Sequence, residues 1–414
     1  MSDKGRIVQI NPVLRTSTST GRIMQEIGAL AESAGWHNWC AYGKGRDGIR
    51  ACTTDILPVG DKWSTALHGL ITRAFDSHGL GSSMATREFV KTLEAINPDI
   101  IHIHNIHGYF LNYQILFDYL KHSRAKIIWT IHDCWLYTGH CYHYSFVGCD
   151  AWKRGCGKCP QRGAFPRSLF IDRSRKNFID KKLSFTSIPK ERMVIVPVSE
   201  WMRDEMSHSF LREYPFQVIH NGIDTSVFRP CNGLEIREKL GIGEDKKIIL
   251  GLASIWCAEK GLDDFIRLSK MLNDNEIIVM VGVDAHTAKR LPASIKWLRR
   301  TENIDMLAQL YSEALAFVNP TYQDNYPTVN LEAISCGTPV VTYRTGGSVE
   351  SITPATGRIV EQGDVEGILL SVREIGNLGK DNFTQACRDY ALANFRKEDR
   401  YNDYLRLYER LVKC

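Results

Sequence analysis

Short apolar runs rich in β-branched residues alternate along this chain with longer segments whose apolar positions recur at helical spacing. The first series of runs is RIVQI (6–10), IIHIH (100–104), KIIWTIH (126–132), MVIVPVS (193–199) and FQVIH (216–220). A second series follows: KIILGLAS (247–254), EIIVMVG (276–282), IKWL (295–298), LAFVNP (315–320) and TPVVTY (338–343). Segments such as ATREFVKTLEAI and IREKLGI lie between them. Continuous apolar strands alternating with helices predict parallel sheets covered on both faces, an α/β class. The two series are broken at HNGIDTSVFRPCNG (220–233), which carries two glycines and a proline and no apolar period. The pattern therefore predicts two doubly wound domains, 1–222 and 223–395. A C-terminal helix (396–414), with Tyr401, Tyr404, Leu405, Tyr408 and Leu411 on one stripe, is expected to pack back across them. Ligands of open α/β sheets bind beyond the carboxyl ends of the strands, so the cleft between the domains is the expected active site.

Length agrees with this division, since 414 residues exceed what one core organises. Hydrophobic residues at 43% and charged residues at 24% are ordinary for a soluble globular chain. The formal charge of +5 comes without a Lys/Arg run of the kind that binds nucleic acid. It leaves room for a basic face toward anionic lipid or a phosphorylated substrate. The N-terminus MSDKGRIVQI has no signal-peptide pattern, and no apolar run approaches ~20 residues, so a cytoplasmic location is expected.

The stretch from Asn319 to Val341, NPTYQDNYPTVNLEAISCGTPVV, is the richest in chemistry. A strand is expected to end at Pro320 and a helix to start near Pro327, a residue suited to a first helical turn. The backbone N–H groups of Thr328 and Val329 then face the crevice, where an anion would be held. Asp324 lies in the loop and Glu332 in the helix, seven residues apart, and each carboxylate can accept two hydrogen bonds from a vicinal diol. This stretch resembles the acidic-x7-acidic motif of the large retaining group 1 / family 4 glycosyltransferases. VPVSEWM, HNGIDTSVFRP and TGGSVE (345–350) resemble other segments of that family, so the likeness extends over most of the chain. It is nearest to bacterial exopolysaccharide enzymes of the colanic-acid type.

The resemblance implies a GT-B fold, two Rossmann-like domains facing across a cleft, and transfer of a sugar from a UDP- or GDP-sugar. The implied acceptor is a glycan, or a lipid-linked oligosaccharide reached by peripheral contact with the inner membrane face; nucleic acid is not an expected partner. It also implies that Glu332 holds the donor ribose and Asp324 the transferred sugar, with Asp standing where Glu is commoner. Lys260, in a strand-to-helix loop, can set its ammonium on the diphosphate. The family's Arg about six residues earlier is replaced by Ser254, or by Trp256 if the loop shifts. Gly21 falls in the small-residue loop after the first strand, where the family brings backbone close to the donor phosphate. The expected donor-binding set is Gly21, Ser254, Lys260, Asp324, Tyr326, Pro327, Thr328, Val329 and Glu332.

His132 matches a family histidine placed near the donor sugar, so the expected catalytic set is His132, Asp324 and Lys260. His104, Asn105 and His107 end the neighbouring strand and are expected on the acceptor side. By resemblance the acceptor hydroxyl attacks on the face the diphosphate leaves, retaining configuration without an enzyme nucleophile. No Asp-x-Asp clamp follows an apolar strand, and no cofactor is expected for catalysis.

Twelve cysteines are many for such a chain. Seven are scattered (Cys40, Cys52, Cys231, Cys257, Cys336, Cys387, Cys414), while five lie between Cys134 and Cys159. Cys141, Cys149, Cys156 and Cys159, in an insertion over 134–160, have spacing that suits a structural zinc site, with His140, His143 or Cys134 as substitutes. Two disulfides or free thiols are the competing readings. A zinc-stapled binding module without catalysis and a GT-B-fold nucleotide-sugar epimerase are the alternative functions.

Overall fold

The computed structural model describes residues 4–45 and 55–413; Cys52 and Cys414 lie outside them. The chain divides into two compact units, Met1–Ile219 with Tyr401–Cys414, and His220–Arg400. The seams fall at 219/220 and 400/401, not at the expected 222/223 and 395/396. Ile223 and Arg396 bridge to each other inside the second unit, and the Ile223 N–H donates to the Phe395 carbonyl, which draws both flanks into it.

The first unit holds a six-stranded parallel sheet of β1 (Arg6–Val13), β2 (His37–Lys44), β3 (Asp55–Pro58), β4 (Ile100–Ile103), β5 (Lys126–Ile131) and β6 (Met193–Pro197). Its order is β3-β2-β1-β4-β5-β6, the doubly wound arrangement whose direction reverses between β1 and β4. Alternate residues of one strand reach opposite faces. Val8, Ile10, Ile101, Ile103, Ile127 and Trp129 enter one core, while Ile7, Ile100, Ile128 and Val194 enter another.

The second unit repeats the plan with β7 (Lys247–Leu252), β8 (Glu276–Val281), β9 (Ile295–Leu298), β10 (Ala316–Asn319), β11 (Val340–Tyr343) and β12 (Gly357–Val360). The order β12-β11-β10-β7-β8-β9 reverses between β7 and β10.

FQVIH, expected as a strand, is not one. Gln217 and Ile219 donate to β6 carbonyls, but only a single bridge, Ile195 to Phe216, forms beside it. Lying outside the last strand, with Pro215 before it, the run has a neighbour on one side only. Three strands escaped the apolar pattern: β2 (HNWCAYGK), which mixes polar residues into its run, and the short edge strands β3 and β12.

The terminal helix Lys397–Lys413 brings the expected tyrosine stripe back to the first unit. Tyr401, Tyr404, Leu405, Tyr408 and Leu411 are buried in the same core as Ile7 and Ile128. Tyr408 also anchors the sheet interior, its hydroxyl lying 2.7 Å from His102 Nδ1 on β4. Both groups are buried, so an unpaired imidazole nitrogen would be left behind by Tyr408→Phe. That variant is expected to lose ~1–3 kcal/mol of stability, read as a lower denaturant midpoint at unchanged slope. An unchanged midpoint would show that the bond contributes nothing.

Candidate functional site

In the first unit the carboxyl ends of β4 and β5 converge on a histidine cluster. His104, Asn105, His107, His132, Asp133 and Trp135 line one small cavity of about 10 Å³. His104 Nδ1 lies 3.2 Å from His132 Nε2, and its Nε2 lies 3.0 Å from Gln9 Oε1 on β1. His107 Nε2 is 2.6 Å from Asp133 Oδ2. Burial pushes the Asp133 carboxyl up, but His107 beside it and the Trp135 N–H bonded to it outweigh that and hold it below the usual range. The four histidine and asparagine positions expected from the sequence therefore meet in one place. Asp133 and Gln9 were not foreseen, although Asp133 directly follows His132.

Behind this cavity His102 Nε2 lies 2.8 Å from Thr130 Oγ1, which donates to Tyr404. Burial lowers the pKa of His132 to about 4 and of His102 to about 3. It holds His104 well below 6.5 as well, so this ladder is neutral and one ring nitrogen of each imidazole remains an acceptor. Gly21 is buried at the start of the helix Ser19–Ser33. A Cβ there would sit 2.5 Å from the Arg15 carbonyl, so the close approach this glycine allows is to its own preceding loop.

In the second unit, the loop after β10 and the helix Thr328–Ser335 lie at the reversal point of the sheet, with Pro327 in the N-cap position. Lys260 Nζ is 2.8 Å from Asp324 Oδ2 and within 3.5 Å of Thr321 Oγ1 and the Gln323 carbonyl. The lysine thus reaches the loop carboxylate from the segment that follows β7. Glu332 is buried inside the helix and accepts from the Tyr311 hydroxyl at 3.2 Å. Thr328 and Val329 are half-buried in the first helical turn, whose N–H groups have no carbonyl of their own helix to meet.

Ser254 is exposed just beyond β7. Trp256 is committed elsewhere: its indole is buried, donates to the Val281 carbonyl at 2.9 Å and packs edge-on against Phe265. The turn beside it is tight. Gly282 has φ +90° and a Cβ there would lie 1.6 Å from the Ala253 carbonyl. Tyr326 is buried and stacks on His220, which lies 3.3 Å from Glu350. The HNG, DNYPT and GGSVE segments, far apart in sequence, therefore meet. A buried amide network fixes the helix behind them: Asn330 accepts from Asn319 at 2.9 Å and donates to Ser348 at 3.1 Å.

The cysteines of the insertion surround a different cavity. Among the described residues no disulfide forms, and no group of three or more His, Cys, Asp or Glu side chains is placed so that it could hold a metal ion.

Comparison with known proteins places these features. Residues 65–227 match the model of glycosyltransferase family 4, and residues 233–391 that of glycosyl transferases group 1. A glycosyltransferase from Rickettsia africae superposes with a TM-score of 0.72 at 16% identity, covering 100% of both chains. The Anabaena protein HepE, solved with UDP, gives 0.68 at 13% identity, covering 97% of this chain and 99% of its own. The two doubly wound units thus define a glycosyltransferase of the GT-B fold. Across its whole length the chain is also similar to a protein of Escherichia coli named as colanic acid biosynthesis glycosyl transferase WcaC, 24% identical over 98% of this chain and 100% of that one. With both models together spanning most of the sequence, the chain belongs to the group 1 / family 4 glycosyltransferases.

The neutral histidines make acid the weak side of the first unit. Burial lowers His68 and His132 to about 4 and His102 to about 3, and holds His78 and His104 lower than 6.5 too. Each takes up a proton near pH 6.5 once unfolded but not while folded. Their contribution is complete above pH 6.5 and is lost as pH falls toward 4. The melting temperature is expected to drop steeply between pH 6.5 and about 4. A flat profile over that window would contradict neutral burial.

Proposed function

We propose that this glycosyltransferase is a retaining hexosyltransferase that uses a UDP- or GDP-sugar and extends a glycan, carried on a lipid, in bacterial exopolysaccharide synthesis. The observation that carries the reading is the grouping at the β7/β10 reversal of Lys260, Asp324 and the Thr328–Ser335 helix with its buried Glu332. An ammonium paired with a loop carboxylate beside a helix N-terminus suits an anionic diphosphate next to a polyhydroxylated sugar. Lys260 would exchange part of its contact with Asp324 for the phosphates, and Asp324 would turn to the sugar hydroxyls. Glu332, oriented by Tyr311, would accept from the ribose.

Retention follows from what such a site supplies. With no dedicated nucleophile in the scheme, the leaving phosphate oxygen takes the acceptor proton on the face it departs from. The protein contributes position and charge stabilisation. His132, kept neutral and held by His104, would present a polar edge to the sugar and its phosphate without adding charge. The whole-length likeness to the colanic-acid protein supports an exopolysaccharide acceptor.

A lipid-borne acceptor is supported by the surface of the first unit. The helix Lys62–Phe75 is turned inside out, burying His68 and Thr72 while Trp63, Leu67, Leu70 and Phe75 are exposed. Trp63, Leu67 and Leu70 fall on one stripe. The next segment, joined by the Leu169 N–H to the Arg73 carbonyl, adds exposed Leu169, Phe170 and Ile171. Lys62, Arg73 and Arg167 are exposed around them. Apolar side chains ringed by cations suit the headgroup boundary of an anionic membrane. Among the described residues no helix is long and apolar enough to cross one.

The donor reading is tested by thermal-shift titration with UDP, GDP, ADP and their sugars. One nucleotide family is expected to stabilise by about 2.7 kcal/mol at a hundredfold excess over its Kd. Glu332→Ala should abolish that shift, whereas His132→Ala should keep it and lose turnover. Stabilisation by none of them would sink the proposal. The membrane reading is tested by sedimentation with vesicles of anionic phospholipid. Binding is expected for the native protein, weakened at least tenfold when Trp63, Leu67 and Leu70 are all changed to Ser; equal binding by both would count against it.

A further inference from the structure

The cysteine-rich insertion contains donors that sugar transfer leaves unused. From Cys134 to Arg173 the only regular elements are the single turns Ser145–Val147 and Ala151–Lys153. A segment this long without regular structure needs another means of holding one conformation. At its centre His140, Cys141, Cys149, Cys156 and Cys159 line one cavity of about 20 Å³, closed on one side by Trp152. That volume is about the room one water-sized sphere occupies.

Backbone hydrogen bonds fix the Cys156–Cys159 knuckle. The Gly139 N–H donates to Cys156 Sγ at 3.1 Å, and the Cys159 N–H donates to Asp172 at 2.7 Å. Lys158 takes the left-handed conformation, φ 53°, within the Cys156–Cys159 turn. A left-handed residue in a Cys-x-x-Cys turn lets the chain reverse between two sulfurs, as a metal knuckle requires.

Two buried polar groups, one in the cavity lining and one bonded to a lining residue, bear on what the cavity can hold. His140 is 2% exposed; its Nδ1 lies 2.6 Å from Asp76 Oδ1, while its Nε2 has no hydrogen-bond partner. Lys181 is 1% exposed and its ammonium is held by the carbonyls of Trp135 at 2.6 Å and Thr138 at 3.0 Å. It also lies 3.5 Å from the centroid of the Trp135 ring. A buried imidazole nitrogen is costly without a polar partner, and a buried ammonium without an anion near.

We propose that Cys141, Cys149, Cys156 and Cys159 bind one zinc ion as a closed structural site, with His140 and Lys181 as its outer partners. On binding, the four thiols release four protons and form four zinc–sulfur bonds, leaving a net charge of −2 on the centre. The four sulfurs, which line one cavity but are not placed to hold an ion in the present arrangement, turn toward the metal on binding. His140, oriented by Asp76, and Lys181, held by the Thr138 carbonyl, stand beside the centre as its outer polar partners. Zinc holds the insertion against β5 and the helix Ser174–Phe185, so the site is structural and takes no part in transfer.

The test uses the intact protein, purified without chelators from zinc-containing medium. Mass-spectrometric metal analysis should give one zinc per chain, released when the thiols are titrated with a mercurial and counted with a metallochromic dye. Cobalt substitution should give the absorption of a tetrahedral thiolate centre. Cys156→Ser with Cys159→Ser should abolish both signals, while Cys231→Ser, at an exposed scattered position, should keep them. His140→Ala should weaken zinc by ~10–100-fold in a chelator competition. Native protein with less than about a tenth of a zinc per chain would overturn the proposal, and so would a Cys141–Cys159 disulfide in the freshly isolated chain. Both of these outcomes are measured on the native protein, so a variant that fails to fold alters neither of them.

Discussion

Everything functional in this molecule depends on a reversal that occurs once in each sheet. A parallel strand can be joined to its neighbour only by a right-handed crossover, so a sheet wound outward in both directions leaves a gap at its starting strand. In the first unit the gap lies between β1 and β4, and His104, reaching across to Gln9 on β1, sits on it. In the second it lies between β7 and β10, where Lys260, arriving from the β7 side, meets Asp324, arriving from the β10 side. The chain does not need the residues of a candidate site to be near one another in sequence. It needs each of them to follow the correct strand.

The two gaps are furnished differently. The first is lined by buried imidazoles that stay neutral, bonded to Gln9, Thr130 and the tyrosines of the terminal helix. Such a surface can hydrogen-bond a sugar or an acceptor without attracting the wrong ion. The second carries an ion pair and helix N–H groups, and is suited to an anion. The proposed reaction, which separates a diphosphate from a sugar, draws on both kinds of chemistry, stabilising charge and positioning neutral hydroxyls.

The sequence revealed what local patterning controls. The edge strand β9 was legible to the residue, and most central strands to within two residues, the central ones because apolar runs buried on both faces leave few alternatives. β2, β3 and β12 were not, since a mixed or edge strand need not be apolar throughout. At the candidate sites, the residues proposed to act were named from motif position, but the partners that hold them were not. Tyr311 stands 21 residues from Glu332, and Asp133 reaches His107 across 26. Nothing local in the chain announces such a pair; the fold alone makes them neighbours. Trp256 shows the reverse error, a motif position whose side chain is taken up by packing.

The terminal helix has a consequence for how the protein is made. The first unit is discontinuous: its core is closed by Tyr401, Tyr404 and Tyr408, which are made after the whole of the second unit. Domains usually fold as they emerge, the N-terminal one first. Here the second unit is complete in the nascent chain while the first still lacks one wall, with His102 and Thr130 waiting for their tyrosines. The unit whose strands are made earlier is the later one to finish folding, and a chain stopped before the helix Lys397–Lys413 would leave that unit open.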